Sequence, residues 1–225
     1  MNQFRGDTFD AESKKIVFII TSVIHPSPSP LSYSPVRSVF SASERASQTL
    51  KTIDSVRLHY KNARICLIET GLNASVPSEL LSAVDKFIFL GDMKIVRYAT
   101  DSRHKGFGEA IGLIAAYRLL KDLGDFYFKI SGRYFLTDNF NPRLWEFDNF
   151  IVRKYSEDIS TRLYAFPKSL FFSWQFALIK SLPWLLAGKQ IEHVLPKFLP
   201  NNCFKYVDNL GVAGAISPNG KLLEE

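Results

Sequence analysis

Two β-branched apolar runs, KIVFIITSV at residues 15–23 and RICLIE at 64–69, flank a segment with the 3.6-residue period of a helix. This order constrains the fold more than any other feature of the chain. Parallel strands joined by a helical crossover make a right-handed βαβ unit, and such a sheet needs helices over both faces. The intervening helix has Ser41 or Ser43 as N-cap, places Leu50, Ile53, Val56 and Leu58 on its apolar face and ends near Lys61 and Asn62. KFIFL at 86–90 and DFYFKI at 125–130 are expected as a third and fourth strand. A short helix is expected at 77–84. A longer one at 106–123 turns Ile111, Ile114, Ala115 and Leu119 inward and stops at Gly124.

Further on, 151–154 and 163–166 are expected as strands separated by the polar segment SEDIST. A short helix is expected at 191–198, a last strand or extended segment at 207–214 and a turn at 218–220. Between the first strand and first helix lies HPSPSPLSYSP, whose four prolines exclude both helix and central strand, so it is a loop. Strands alternating with helices, followed by antiparallel-looking strands, imply an α/β fold with a mixed, mostly parallel sheet flanked by helices. At 225 residues with 46% hydrophobic and 22% charged side chains, the chain can bury a core without disulfide or metal. The reading is a polar leader at 1–14 and one domain at 15–225. Within it, 15–140 is the ligand-binding half and 141–225 the half that meets a second substrate.

The net charge of +6 favours anionic partners. Without a basic helix, zinc-finger spacing or aromatic RNA-binding strand, nucleic acid is not expected among them. Cys66 and Cys203 make no disulfide framework, and four scattered histidines make no zinc site. The start MNQFRGDTFDAESKK has no secretory pattern and no long apolar run follows, so a cytoplasmic protein is expected.

In open α/β sheets, ligands bind outside the carboxyl ends of the strands. That rule selects Thr21 and Ser22, Glu69 and Thr70, Gly91 and Asp92, and the turn Ser131, Gly132, Arg133, Tyr134. Arg45 and Thr49, early in the first helix, face the same crevice. Arg45 disfavours the helix dipole there, which suits an anionic ligand. Lys105 and Glu109 flank a GFGE segment, which lacks the glycines of a dinucleotide fingerprint. Glu192, on the late helix, is a candidate general base. Each has a plainer alternative. Arg133 can pair with Asp125 or Asp138, Lys105 can be a solvated loop lysine, Glu109 can serve the helix dipole and Glu192 can face solvent. The aromatic stretch 166–186, with two tryptophans and two lysines, is either core or an interfacial face that docks on lipid-linked acceptors at an anionic membrane.

Four segments in order, VFIITSVIHP, SERASQTLKTIDSVRLHYKNARICLIETG, RHKGFGEAIGLIAAYRLL and DFYFKISGRYFLTDNF, span roughly 16–140. Together they resemble GT-A glycosyltransferases, which use a Rossmann-like half-domain for nucleotide-sugars. The later IEHVLPKF and NLGVAGAISPNG look like the tail of bacterial and viral proteins of this type, linked to surface polysaccharides. The resemblance implies a nucleotide-sugar donor and a glycan or lipid-linked acceptor, at the inner face of the membrane. It departs at one point. Most GT-A enzymes end the fourth strand in Asp-x-Asp, whose carboxylates hold a divalent metal against the diphosphate. Here the strand ends in Lys129, Ile130, Ser131, Gly132, Arg133 and Tyr134. Cations can neutralise a leaving diphosphate as a metal does, so metal-independent, inverting transfer is expected, with no cofactor. Alternation puts Lys129, Ser131 and Arg133 on one face of an extended strand, and Gly132 admits a ligand to the backbone. The alternatives are a catalytically silent binding domain of the same fold in a polysaccharide-assembly complex and, lower, a nucleotidyltransferase. The ending GKLLEE would suit a truncation or tag residue.

Overall fold

The computed structural model describes residues 14–145 and 148–225, so the leader expected at 1–14 lies outside the described residues except for Lys14. The chain opens with β1 (Ile16–Ser22), α1 (Ala42–His59), β2 (Arg64–Glu69), α2 (Ser78–Ala83), β3 (Lys86–Phe89) and α3 (Lys94–Asp101). Next come α4 (Lys105–Ala115), α5 (Tyr117–Leu120), β4 (Phe126–Ser131), β5 (Tyr134–Leu136), β6 (Phe150–Tyr155) and β7 (Asp158–Pro167). It closes with α6 (Phe171–Leu186), α7 (Ile191–Val194), β8 (Phe204–Tyr206), β9 (Val212–Ala215) and β10 (Leu222–Glu224).

Seven strands form one sheet in the order β3-β2-β1-β4-β7-β6-β8, with β7 alone running against the rest. The protein is therefore α/β, with a mixed, mostly parallel sheet. A second sheet, β10-β9-β5, is antiparallel. Both faces of the main sheet are covered, which is why β1 is apolar from Ile16 to Ile20 and polar only at its cleft end. Val17 and Ile19 join Cys66, Tyr127, Phe166 and Trp174 on the face under α4 and α6. Phe18 and Ile20 join Ile53, Val56, Leu67 and Phe128 on the face under α1.

Local signals set the ends of α1. Ser41 caps it: the Ser41 Oγ accepts from the Glu44 N–H at 3.3 Å, and the Glu44 carboxylate accepts from the Ser41 N–H at 2.7 Å. Leu58 and Leu119, expected on apolar faces, are exposed. Leu58 lies two residues past Val56, about 200° round the helix, and so points away from the buried face. The helix expected over 106–123 breaks at Ala116, so α5 buries Leu120 in place of Leu119.

The largest departure is SEDIST. Only its first residues turn, around Ser156 at φ 50°, and β7 starts at Asp158. Ile159, Ser160 and Thr161 are buried, so the polar residues there are strand residues with polar partners. Ser160 donates to Glu225 at 3.1 Å and Thr161 donates to Glu192 at 2.8 Å. The segment 222–224 is likewise strand β10, paired with β9. No helix among the described residues is long and apolar enough to cross a membrane.

Candidate functional site

The strand ends Thr21 and Ser131 are paired neighbours in β1 and β4, and the strand order reverses beside them. Loops leaving such a point diverge and open a crevice. Two adjoining cavities occupy it. The smaller, about 120 Å³, lies over the ends of β1, β2 and β4, with Thr21, Ser22, Arg45, Thr49 and Gly132 in its wall. The larger, about 560 Å³, lies between the start of α4, β7 and α7, with Thr161, Tyr134 and Glu192 in its wall. Lys105, Glu109, Ser131 and Arg133 line both and mark the junction. The proline-rich loop supplies Pro26, Ser27 and Leu31 to the smaller cavity and Ser32 and Tyr33 to the larger, so it roofs the whole cleft.

Most of the polar groups around the smaller cavity are tied to the protein itself. Arg45 is buried; its Nε donates to the Val23 carbonyl, and its Nη1 donates to Ser38 Oγ at 3.0 Å and Ser217 Oγ at 2.9 Å. Burial, and then the charge of Arg133, push its pKa down to about 10, so it stays charged at neutral pH. Thr49 Oγ1 donates to the Arg45 and Gly132 carbonyls at 2.9 and 3.1 Å. A Cβ on Gly132 would stand 3.1 Å from Thr49 Oγ1 and 3.2 Å from the Thr21 carbonyl. Glycine at this position lets β4's turn pack against α1 and β1. Glu69 lines neither cavity. Its fully buried Oε1 accepts from the Ile24 and Gly71 N–H groups at 3.0 and 2.7 Å, clamping the loops after β1 and β2. Burial pushes its carboxyl pKa up.

Lys129 is also tied. It is 1% exposed, ion-paired with Glu109 and hydrogen-bonded to the Thr161 carbonyl at 2.9 Å. It lies beneath the larger cavity, on the α4 face of the sheet, and its charge is already met. Burial pushes the Glu109 carboxyl up, but Lys129, Lys105 and Arg133 outweigh it and hold its pKa below the usual carboxylate value. After Ser131 the chain turns, with the Arg133 N–H on the Ser131 carbonyl at 2.8 Å, so Arg133 leaves the strand yet still reaches the cleft.

Lys105 and Arg133 are different. Arg133 spends one N–H, Nη1 to the Ala215 carbonyl at 3.2 Å. Among the described residues no carboxylate lies within ion-pair distance of it; neither Asp125 nor Asp138 is its partner. Lys105 opens into the cleft at the first residue of α4. The facing charge of Arg133, and then burial, push its pKa down to about 7. Two cations held together at a concave junction destabilise the empty protein and suit an anion.

Glu192, at the start of α7, accepts from Thr161 Oγ1 at 2.8 Å and faces the larger cavity. Burial, and then the charge of Glu192, hold the Tyr33 phenol's pKa up, which places the roof opposite this carboxylate. Glu192, Lys105 and Arg133 thus converge on one cavity. His193 lines neither; it bonds Asp158 at 2.8 Å and Lys197 at 2.7 Å. Gly91 and Asp92 line neither cavity. The Gly91 carbonyl accepts from Arg97 Nη2 at 2.6 Å. Arg97, Arg37, Tyr33 and Thr161 are wall residues that the strand-end rule does not select. Thr161 alone had a legible signal, a polar run between two apolar strand segments. Among the described residues no three His, Cys, Asp or Glu side chains gather to hold a metal, and the nearest carboxylate, Glu109, is tied to Lys129.

No protein-family model matches the chain, and no curated protein matches it.

Proposed function

We propose that the cleft binds a nucleotide-sugar and transfers its sugar, in the manner of a GT-A glycosyltransferase. The pair Lys105 and Arg133 carries this reading: two cations, neither with a carboxylate in ion-pair contact among the described residues, at the junction of two cavities on the switch point of a mostly parallel sheet. The nucleoside occupies the smaller cavity under the proline-rich roof. The diphosphate lies between the ammonium of Lys105 and the guanidinium of Arg133. The sugar and the acceptor hydroxyl occupy the larger cavity beside Glu192.

Glu192 takes the proton of the acceptor hydroxyl as its oxygen attacks the anomeric carbon. The bond from that carbon to the diphosphate breaks, and the nucleoside diphosphate leaves with the electron pair. Its developing charge meets Lys105 and Arg133, where a metal stands in Asp-x-Asp relatives. Thr161 holds the carboxylate in position. A single base facing the acceptor side supports inversion. Glu109 and Lys129 form the floor and keep each other charged, so Glu109 leaves Lys105 and Arg133 to the ligand.

Thermal melting with UDP, GDP, CMP, ADP and dTDP, each with manganese and with EDTA, tests this. One nucleotide at a hundred times its Kd stabilises by about 2.7 kcal/mol, a shift of roughly 5–10 °C for a domain of this size. The expected result is such a shift with one nucleotide, unchanged by EDTA and cut by about half or more in Arg133→Met. A shift that needs manganese overturns the Lys105 and Arg133 role. No shift with any nucleotide overturns nucleotide binding.

A further inference from the structure

We infer that the outer face of α6 docks on an anionic membrane surface and sets the mouth of the larger cavity against it. The inner face of this helix is core, with Phe171, Trp174, Ala177, Leu178 and Leu185 buried. Its outer face is apolar as well. Phe172 is 68% exposed, Phe176 45%, Ile179 47%, Trp184 53% and Leu186 49%. Positions 172, 176, 179, 183 and 186 fall at helical spacing, so Phe172, Phe176, Ile179, Pro183 and Leu186 form one stripe along a helix about 24 Å long, with Trp184 on its flank. The Phe172 and Phe176 rings stack at 6.2 Å, and both stay exposed among the described residues. A water-facing helix without a partner does not need four large apolar side chains in line and an exposed tryptophan beside them.

Charge identifies the occupant. From Pro167 to Gln190 the chain has Lys168, Lys180 and Lys189 and no aspartate or glutamate. Lys180 lies over the Phe176 ring at 4.7 Å. Lys168 reaches Asp122 at 3.6 Å, at the end of the helix away from the cleft. Aromatic and aliphatic side chains flanked by lysines match the headgroup layer of a negatively charged bilayer, where the rings enter and the ammonium groups stay with lipid phosphate. A second copy of the chain brings the same positive charge to the contact and is disfavoured.

Position gives the contact its purpose. The start of α6 lies beside the start of β4, through the Lys168 N–H on the Asp125 carbonyl at 2.8 Å. The helix then runs toward the cleft and ends at Gly188, whose φ of 86° turns the chain. Gly188, Lys189 and Gln190 line the larger cavity. A bilayer against the stripe therefore meets the rim of that cavity, where an acceptor anchored in lipid can enter without leaving the membrane.

Trp184 provides the readout, because the chain's other tryptophans, Trp145 and Trp174, are 2% and 0% exposed. The full chain is mixed with phosphatidylcholine vesicles, with or without about 30% phosphatidylglycerol, and followed by co-sedimentation and tryptophan emission. The expected result is a blue shift and binding that depend on the anionic lipid and weaken with salt. Phe172→Ser with Phe176→Ser lowers binding on the order of tenfold or more, and Lys180→Glu lowers it several-fold, by roughly the 1 kcal/mol a basic side chain is worth near an anionic surface. All three positions are exposed and outside both cavities, so melting temperature and nucleotide-induced shifts stay as in the parent chain, which separates this inference from the reading of the cleft. Equal binding to neutral vesicles, no binding to either, or a dimer that buries Trp184 would each overturn it.

Discussion

The cations of the cleft fall into two groups that the amino-acid sequence does not distinguish. Around the smaller cavity, Arg45 spends its N–H groups on a loop carbonyl and two serine hydroxyls, and Arg97 gives Nη2 to the Gly71, Leu72 and Gly91 carbonyls while its buried Nη1 has no partner among the described residues; both act as struts. At the junction, Lys105 and Arg133 spend almost nothing on the protein and repel each other. A buried strut is worth its hydrogen bonds to the fold, whereas an unspent cation in a cavity is worth little until an anion arrives. Burial alone would rank Arg45 as the best site residue; hydrogen-bond use reverses the order.

Substitutions can break this contrast. The largest effect is expected at the carboxylate opposite the pair. Glu192→Gln keeps an acceptor for Thr161 but cannot take a proton, so turnover should fall by about 10²–10⁴ while the nucleotide-induced melting shift persists. Unchanged turnover would place the base elsewhere. Next is the strut: Arg45→Met should cost roughly 2–4 kcal/mol in urea unfolding, because it strands the groups that bind loop to loop. Arg133→Met should leave urea stability unchanged or improved and weaken nucleotide binding by about 10–100-fold. If the two arginines exchange these phenotypes, the contrast fails.

The smallest effect is a slope. Lys105 has a pKa of about 7 in the empty protein, below the ordinary lysine value. A bound diphosphate favours the ammonium, so its pKa rises on binding and a proton is taken up. Above pH 7 the empty protein is progressively deprotonated there, so affinity for a nucleoside diphosphate should fall by up to about tenfold per pH unit until the bound pKa is reached. Titration calorimetry between pH 7.5 and 9.5, where the nucleotide's own ionisation is complete, should show this slope in the parent chain and none in Lys105→Arg.

How legible the protein was follows from the same distinction. The parallel strands β1 to β4 were readable because burial on both faces forces continuous apolar runs, as in Val17 to Ile20. Helix α3 was not, since it has no side-chain cap and buries Val96 and Ala99 alone. β8 and β10 are three residues each and gain their order from neighbours. The polar start of β7 concealed a strand because Ser160 and Thr161 serve partners that only the folded chain brings near. Within the site, the strand-end rule found Ser131 and Arg133 at the junction, and the GFGE segment pointed to Lys105 and Glu109. It could not tell that Lys129 is consumed by Glu109, or that Glu69 turns inward to hold the loops. Side-chain alternation held as far as Ser131 and ended where the chain turned. Arg97 and Tyr33 reach the cleft from α3 and from the roof, at distances in the chain that no local pattern encodes.

The proline-rich roof has a consequence for the timing of catalysis. Four pyrrolidine rings between His25 and Pro35 fix φ at those positions before any ligand arrives. Ordering a flexible loop over a substrate costs about 1–2 kcal/mol per residue in backbone entropy, and prolines have surrendered much of that freedom in advance. The cover is also pinned between its ends, by the Ser32 N–H on the Arg103 carbonyl at 2.9 Å and by Arg37 Nη2 on the Asp101 carbonyl at 2.9 Å, so it meets an incoming ligand already in place. On the transferase reading, a spent nucleotide would leave as those contacts open, at a rate that replacing Pro28 and Pro30 by alanine would change without touching any residue of either cavity wall.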